Sequence, residues 1–440
     1  MTRSQWGSRL GFILAAAGSA VGLGAIWKFP FVAAQNGGGA FLLIFLAITF
    51  TLGLALMLAE MSIGRATQQS IVGALRTLKG GGWPVLGYLG VLGGFVVFSF
   101  YSVIGGWTIA YFVRALQGDI ITRDTVQLGH MLDSFIADPV WPIAALSAFI
   151  GLTLAVVLAG VQKGIEQMSK LLMPLLFLLM LALIVRGLTL PGAMAGLLYF
   201  VRPDFSKVTA DMLISALGLS FFSLSLGNGT LLAYGSYLPK EVRLANSAAW
   251  VVGLATLASL LAGLMVLPAV FAVGLDPQAG PGLTFMTMPA VFATLPGGQG
   301  FAIAFFALLI VAALTSSVSM LELVSCFLID EFHLSRRSAS LLVSALVFCF
   351  AVPASLSFGM LNDVRLGDKT IFDCMDFLAS NILMPAVGAG VALFTAWISW
   401  PRLANELAGP GQRPLWLHGM WLLCGLVAPV AIGIIWINGL

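Results

Sequence analysis

Charge is scarce in this 440-residue chain. Only 9% of its residues are Asp, Glu, Lys or Arg, against 60% hydrophobic, and its mean hydropathy is +1.03. A soluble domain could not cover its surface with so few charges, because exposed apolar patches of that extent drive association. Cysteine is scarce as well. Cys326, Cys349, Cys374 and Cys424 lie in apolar segments without a CxxC pairing, which argues against a disulfide framework or a thiolate metal centre and leaves them as small core residues. The three histidines, His130, His333 and His418, fall in expected loops and form no ligand cluster. No nucleophile–base pair stands among the buried segments, so an enzyme is not expected. A net charge of +3 does not call for a nucleic-acid partner.

What the chain has in abundance is the long apolar run. Eleven runs come close to or exceed the about 20 residues needed to cross a hydrocarbon core of about 30 Å. They cover 10–34, 39–63, 85–116, 141–160, 168–188, 210–236, 246–274, 299–329, 337–354, 372–397 and 416–437. The chain therefore reads as a polytopic all-α membrane protein surrounded by lipid. Its start lacks a short apolar segment followed by a small-residue cleavage site, so no cleaved signal peptide is expected. With the N-terminus cytoplasmic, 13 of the Lys and Arg residues fall on inner loops and 8 on the outer side, which favours that orientation. Residues 276–298 are apolar but cut by four prolines, and read as an outer loop folded onto the protein.

Two of the runs are interrupted. Gly22-Leu23-Gly24 breaks the first, and Gly227-Asn228-Gly229 breaks the sixth 205 positions later. Glycine costs about 1 kcal/mol and proline about 3 kcal/mol relative to alanine inside a helix. Each break opens a five-helix block, so residues 1–190 and 205–398 read as two repeats of opposite orientation, with 399–440 as an eleventh span in one transmembrane domain. Glycines in membrane helices commonly serve close packing. Paired breaks at matching places instead point to a transport site at the bilayer midplane. Unwinding frees backbone N–H and C=O groups, which membrane depth tolerates only where they line a cavity.

Span 8 adds Thr315 and Ser316, with Ala312 three and four positions before them on the same helical face. Two hydroxyls and a carbonyl presented together suit a hard cation; the alternative is that the hydroxyls bond back to their own helix. Four charges lie at or near membrane depth: Lys28, Glu60, Glu322 and Asp376. Lys28 and Asp376 can close over a site as an ion pair. Glu60 and Glu322 are placed to satisfy backbone groups freed beside the breaks.

These features carry a resemblance. The segments RSQWGSRLGFILAAAGSAVGLG…KFP (3–30), QNGGGAF (35–41), AEMSIGR (59–65), FYSVIGGW (100–107), FFSLSLGNG (221–229), LTSSVSM (314–320), FLIDE (327–331) and FDCMDF (372–377) resemble those of a bacterial neurotransmitter:sodium symporter. The resemblance implies the LeuT-type fold, a 5+5 inverted repeat with spans 1 and 6 unwound. It implies a sodium ion (Na+) held by the carbonyls of Gly18, Val21 and Ala312 and the hydroxyls of Thr315 and Ser316. It implies a substrate pocket lined by Ala20, Leu23, Gly24, Val97, Tyr101, Phe222, Ser225, Asn228 and Met320. Tyr101 would hydrogen-bond a carboxylate and Phe222 would lid the pocket. Lys28 with Asp376 would form the outer gate; Arg3, Trp6 and Asp330 with Tyr237 would form the inner one. Gly22 stands where monoamine carriers have an aspartate, which favours an amino-acid substrate.

The chain departs from the family at a first sodium site, where Ala25 and Ala255 replace side chains that bear oxygen and only Ser223 retains one. It also departs at the chloride site, where Phe45 and Leu219 occupy usually polar positions while Ser223 and Ser259 remain. The expected function is sodium-coupled import of an amino acid across a bacterial inner membrane by alternating access, with one sodium ion. A sodium-independent or proton-coupled carrier on the same fold is the alternative. A sensor or channel would need a signalling domain or a continuous polar pore.

Overall fold

The computed structural model describes residues 4–277, 283–409 and 411–439; these are helical apart from turns, loops and one isolated bridge between Leu366 and Lys369. Among the described residues, nine helices are long and apolar enough to cross a membrane: Gly39–Thr67, Pro84–Gln117, Trp141–Leu158, Val161–Leu188, Leu244–Val273, Gly298–Phe332, Arg336–Leu356, Ile371–Ile398 and Leu415–Ile434. They are spans 2 to 5 and 7 to 11. Span 1 is the bent pair Arg9–Ala20 and Gly24–Gln35, which meet at 52°. Span 6 consists of Ala210–Ser223 and Thr230–Gly235.

The two breaks are built differently. Span 1 starts at Ser8, whose hydroxyl accepts the Gly11 N–H at 3.0 Å, as a helix cap should. It stops at Val21, which leaves helical geometry with φ −87° and ψ 61°. The chain re-enters through a wide turn, Gly24–Lys28, and then Phe29–Gln35. Pro30, which has no N–H to donate, falls where the helix tightens from that wide turn, just after the Phe29 N–H has bonded the Gly24 C=O. In span 6 the chain between 223 and 230 passes through left-handed backbone at Ser225, Gly227 and Gly229, with φ of +54°, +80° and +81°. A side chain on Gly227 would also meet the Met384 carbonyl at 2.3 Å, so span 10 closes against the backbone there.

Spans 3 and 8, the longest helices, pack along one another, and the first half of span 1 packs against spans 5, 7 and 8. The broken helices are thus enclosed, as freed backbone at membrane depth must be. The segment after span 7 folds onto the bundle: Met288–Phe292 is a buried helix, and Phe285 just before it is 2% exposed. Residues 278–282 of that loop lie outside the described residues.

Short helices also fill connections that the sequence reads as loops: Ile71–Leu78, Thr125–Ala137, Ala193–Val201 and Trp400–Ala408. Thr125–Ala137 is started by the Asp124 carboxylate, which accepts the Val126 and Gln127 N–H groups. The expected loop positions of two histidines are thereby corrected: His130 lies on Thr125–Ala137 and His418 in span 11. His333 follows the end of span 8 in left-handed geometry, with φ +56°.

Candidate functional site

The end of the first half of span 1 meets span 8 and the break of span 6 at one carbonyl. The Ser19 C=O accepts the Ser225 hydroxyl at 2.9 Å and the Ser316 hydroxyl at 2.9 Å. Ser316 also reaches the Gly18 C=O at 3.4 Å, while Thr315 donates back to the Ala312 C=O at 3.0 Å. Thr315 thus bonds within its own helix, whereas Ser316 crosses to span 1. A Cβ on Gly18 would lie 3.2 Å from the Thr315 Cβ, so the two chains touch there. Val21 stands at the break, its N–H donating to Ala17 at 2.7 Å. Gly18, Val21, Ala312, Thr315 and Ser316 are all buried. This donor set of carbonyl and hydroxyl oxygens, with no nitrogen or sulfur, fits an alkali or alkaline-earth cation and not a transition metal.

Beside it lies a central cavity of about 20 Å³. Ala20, Gly24, Val97, Tyr101, Phe222, Ser225, Asn228 and Met320 border it, as do Ser19, Gly22, Ser316 and Met384. Leu23 does not border it, but its N–H donates to the Tyr101 hydroxyl at 3.2 Å and so ties the break of span 1 to span 3. A Cβ on Gly22 would meet the Ser316 Oγ at 2.3 Å and the Tyr101 hydroxyl at 2.9 Å, leaving no room for an acidic side chain. Asn228 accepts the Thr230 N–H at 3.0 Å and so starts the second half of span 6. Phe222 separates this cavity from a larger one of about 190 Å³, lined by Lys28, Phe221, Asn381, Met384 and Ile432 among others.

Where the resemblance implies a first sodium site, Ala25 and Ala255 are buried methyl-bearing residues, and the Ser223 hydroxyl donates to the Ser220 C=O at 3.2 Å. Phe45 packs on Phe29 with ring centroids 5.0 Å apart, Leu219 is buried in the same apolar cluster, and the Ser259 hydroxyl bonds to the Ala255 C=O at 3.3 Å.

At the inner end of the bundle, taking the orientation expected from the loop charges, Trp6 is inserted and 4% exposed. Its indole N–H donates to the Tyr234 C=O at 3.0 Å and its backbone N–H to the Tyr237 C=O at 3.2 Å. The Tyr237 hydroxyl donates to Glu322 at 2.6 Å. Asp330 accepts the Ser70 N–H at 2.6 Å. Arg3 lies outside the described residues. At the outer end the structure does not bring Lys28 and Asp376 into an ion pair. The Lys28 ammonium lies 4.9 Å from the centre of the Phe222 ring, and Asp376 accepts the Ser380 hydroxyl one turn on, at 2.8 Å.

The two membrane glutamates differ. Glu60 accepts the Gly227 N–H at 2.8 Å and so satisfies backbone freed by the break in span 6. Glu322 does not reach a freed backbone group. It takes Tyr237 and both terminal nitrogens of Arg336, at 2.6 and 2.9 Å, because the start of span 9 lies directly beside it. Three contributors carry little signal in the sequence. Ser19 acts through its carbonyl, which no side-chain inventory reveals. Met384 reaches the cavity from span 10. Glu166 reads as a loop acid between lysines, yet it accepts the Gly7 N–H at 2.7 Å and the Ser8 hydroxyl at 2.8 Å and pairs with Lys170 at 2.6 Å.

Known proteins share this architecture. The model of the sodium:neurotransmitter symporter family matches residues 3–125 and 122–435. An uncharacterized sodium-dependent transporter of Bacillus subtilis, YhdH, is 42% identical over 99% of this chain and 97% of its own length. An uncharacterized sodium-dependent transporter of Haemophilus influenzae is 35% identical over 100% of this chain and 98% of its own. The crystal structure of MhsT in complex with L-phenylalanine superposes with a TM-score of 0.92 at 41% identity, covering all of both chains. The fold is therefore the LeuT type, with five-plus-five inverted repeats and unwound spans 1 and 6. Together with the broken helices and the oxygen-lined junction between them, these likenesses identify the chain as a multi-pass, sodium-dependent transporter of the sodium:neurotransmitter symporter family.

Proposed function

We propose that the chain imports an amino acid across the bacterial inner membrane by alternating access, coupled to one sodium ion, with its N-terminus in the cytoplasm. The observation that carries this reading is the junction of spans 1 and 8, where the Gly18 and Ser19 carbonyls face the hydroxyl of Ser316. Sodium there takes oxygen from the Gly18, Val21 and Ala312 carbonyls and the two hydroxyls, whose protons turn away. Binding holds the end of the first half of span 1 against span 8 and thereby shapes the adjoining cavity. The driving force is the sodium gradient plus the membrane potential, the latter about 2.3 kcal/mol per charge per 100 mV.

The substrate carboxylate meets the positive end of the half-helix that begins at Gly24. Tyr101 adds a hydroxyl donor, since its oxygen already accepts from Leu23. One ion rather than two follows from Ala25 and Ala255, because a dehydrated cation takes about six oxygens and methyl groups supply none. MhsT was solved with L-phenylalanine, which supports an amino acid as the substrate class here.

The test is uptake of labelled amino acids into proteoliposomes with sodium or with choline outside. Thr315→Val combined with Ser316→Ala is expected to reduce sodium-dependent uptake to background while leaving the protein folded. Sodium-driven uptake that survives the double substitution, or uptake that ignores sodium in the unmodified protein, overturns the reading.

A further inference from the structure

Most polar side chains bordering the central cavity are already committed. Ser225 and Ser316 donate to the Ser19 carbonyl, and the Tyr101 oxygen accepts from Leu23. Asn228 is the exception. It is 2% exposed, yet only one end of its amide is used. The Thr230 N–H at 3.0 Å fixes which end, since only the carbonyl oxygen can accept from it. The amide nitrogen is therefore the free end. It has no hydrogen-bond partner among the described residues and is not among the buried polar atoms sealed off from open space, so it faces the cavity that Asn228 borders. The rest of that wall is apolar: Val97, Phe222, Met320 and Met384.

We infer that Asn228 selects a neutral amino acid whose side chain carries an oxygen able to accept a hydrogen bond, with a primary amide preferred. The inference rests on the transport reading above and names the substrate class for that same site. An apolar side chain filling the cavity would leave two buried N–H donors unmet, and a site built to pair a polar group rejects the analogue that lacks it far more strongly than an apolar pocket rejects a missing methylene. A cationic side chain would face a donor with its own donors. An anionic one would be buried with no cationic side chain among the described residues that border this cavity; Lys28 lies on the far side of Phe222. A primary amide can accept from the Asn228 NH₂ through one atom and donate to its oxygen through another, with both bonds near linear, whereas a hydroxyl must do both through a single atom at bent angles. At about 20 Å³ the cavity must widen to admit such a chain, and the two methionines in its wall are the flexible side chains able to give way.

Competition against labelled substrate in proteoliposomes with sodium tests this through matched pairs: threonine against valine and glutamine against methionine. The polar member of each pair is expected to compete about tenfold or more better. Asn228→Asp is the informative variant, because its carboxylate still accepts the Thr230 N–H but no longer offers a donor. It is expected to remove the preference, whereas a residue that only shapes the turn would leave it intact. Asn228→Leu is expected to invert the preference toward valine and methionine. Saturable sodium-dependent transport that favours valine and methionine in the unmodified protein overturns the inference and leaves the transport reading standing, as does a preference unchanged in Asn228→Asp. If no amino acid competes or is taken up with sodium, both fall.

Discussion

The two ends of the bundle are closed by different chemistry. The inner end is closed by directional polar bonds: Trp6 to two backbone carbonyls, Tyr237 and Arg336 to Glu322, and Glu166 to the segment that precedes span 1. Arg65 adds a pair with Glu406 at 2.6 Å and bonds to the backbone carbonyls of Val242 and Glu406, tying span 2 to the Trp400–Ala408 helix and the connection between spans 6 and 7. The outer end is closed by rings. Phe285 packs on Trp27, Trp107, Tyr111 and Phe306, and Lys28 rests over Phe222. Hydrogen-bonded charges hold one geometry and are costly to leave unpaired, whereas ring contacts slide and re-form at about 0.5–1.5 kcal/mol each. If each end opens through the contacts that close it, the inner end must break several paired bonds together, whereas the outer end can part contact by contact. The cavity of about 190 Å³ already present on the outer face of Phe222 is consistent with that.

Replacing Trp6 by alanine strikes the inner end hardest, because it removes the indole bond to Tyr234 and empties the space between Phe12, Tyr234 and Tyr237. Loss of a buried tryptophan costs about 3–5 kcal/mol. Concentrative uptake is expected to fall more than tenfold, and hydrogen exchange over residues 4–12 to rise. Unchanged exchange there would mean that the segment is held by its other bonds: Glu166 to Gly7 and Ser8, Gln162 to Gln5, and Arg9 to Asn246.

Glu322→Gln is the next largest change, since it leaves Arg336 without its carboxylate. Breaking such a buried pair costs about 3–5 kcal/mol. The lower end of that range applies, because the Arg336 side chain is 23% exposed and can reach water. A lowered melting temperature, with faster exchange at the start of span 9, is the expected result. Full stability would show that the inner polar network contributes geometry and little energy.

Lys28→Met is expected to do least. A cation over a ring at a half-buried position is worth about 0.5–1 kcal/mol, so uptake should change no more than a few-fold. Abolished transport, restored by exchanging the charges of Lys28 and Asp376, would show that the outer end also closes through a directional pair in another state of the cycle, and the contrast between the ends would fail.

The apolar runs made the spans legible. The run at 299–329 became Gly298–Phe332, and the run at 141–160 became Trp141–Leu158. Gly22 and Gly24 marked the first break because a helix disfavours them unless the backbone is needed. Pairing was less legible. Arg336 reads as an inner-loop charge until the tight connection after span 8 turns it back onto Glu322. Glu166 and Ser8 are 158 positions apart. Opposite charge suggested Lys28 with Asp376, but charge alone does not set direction, and each found a nearer partner. The connecting helices were hidden for a different reason: they are too short for length or period to mark them, whether apolar as Ala193–Val201 or amphipathic as Trp400–Ala408.

The central claim is one sodium ion at the junction of spans 1 and 8, moving with one amino acid. Its most direct measurement is the ratio of labelled sodium to labelled amino acid entering proteoliposomes over the same initial interval. A ratio near one, with a Hill coefficient for sodium near one, is the predicted result. A ratio of two in the unmodified protein would contradict it, and would mean that water or substrate oxygens complete a second site beside Ala25 and Ala255.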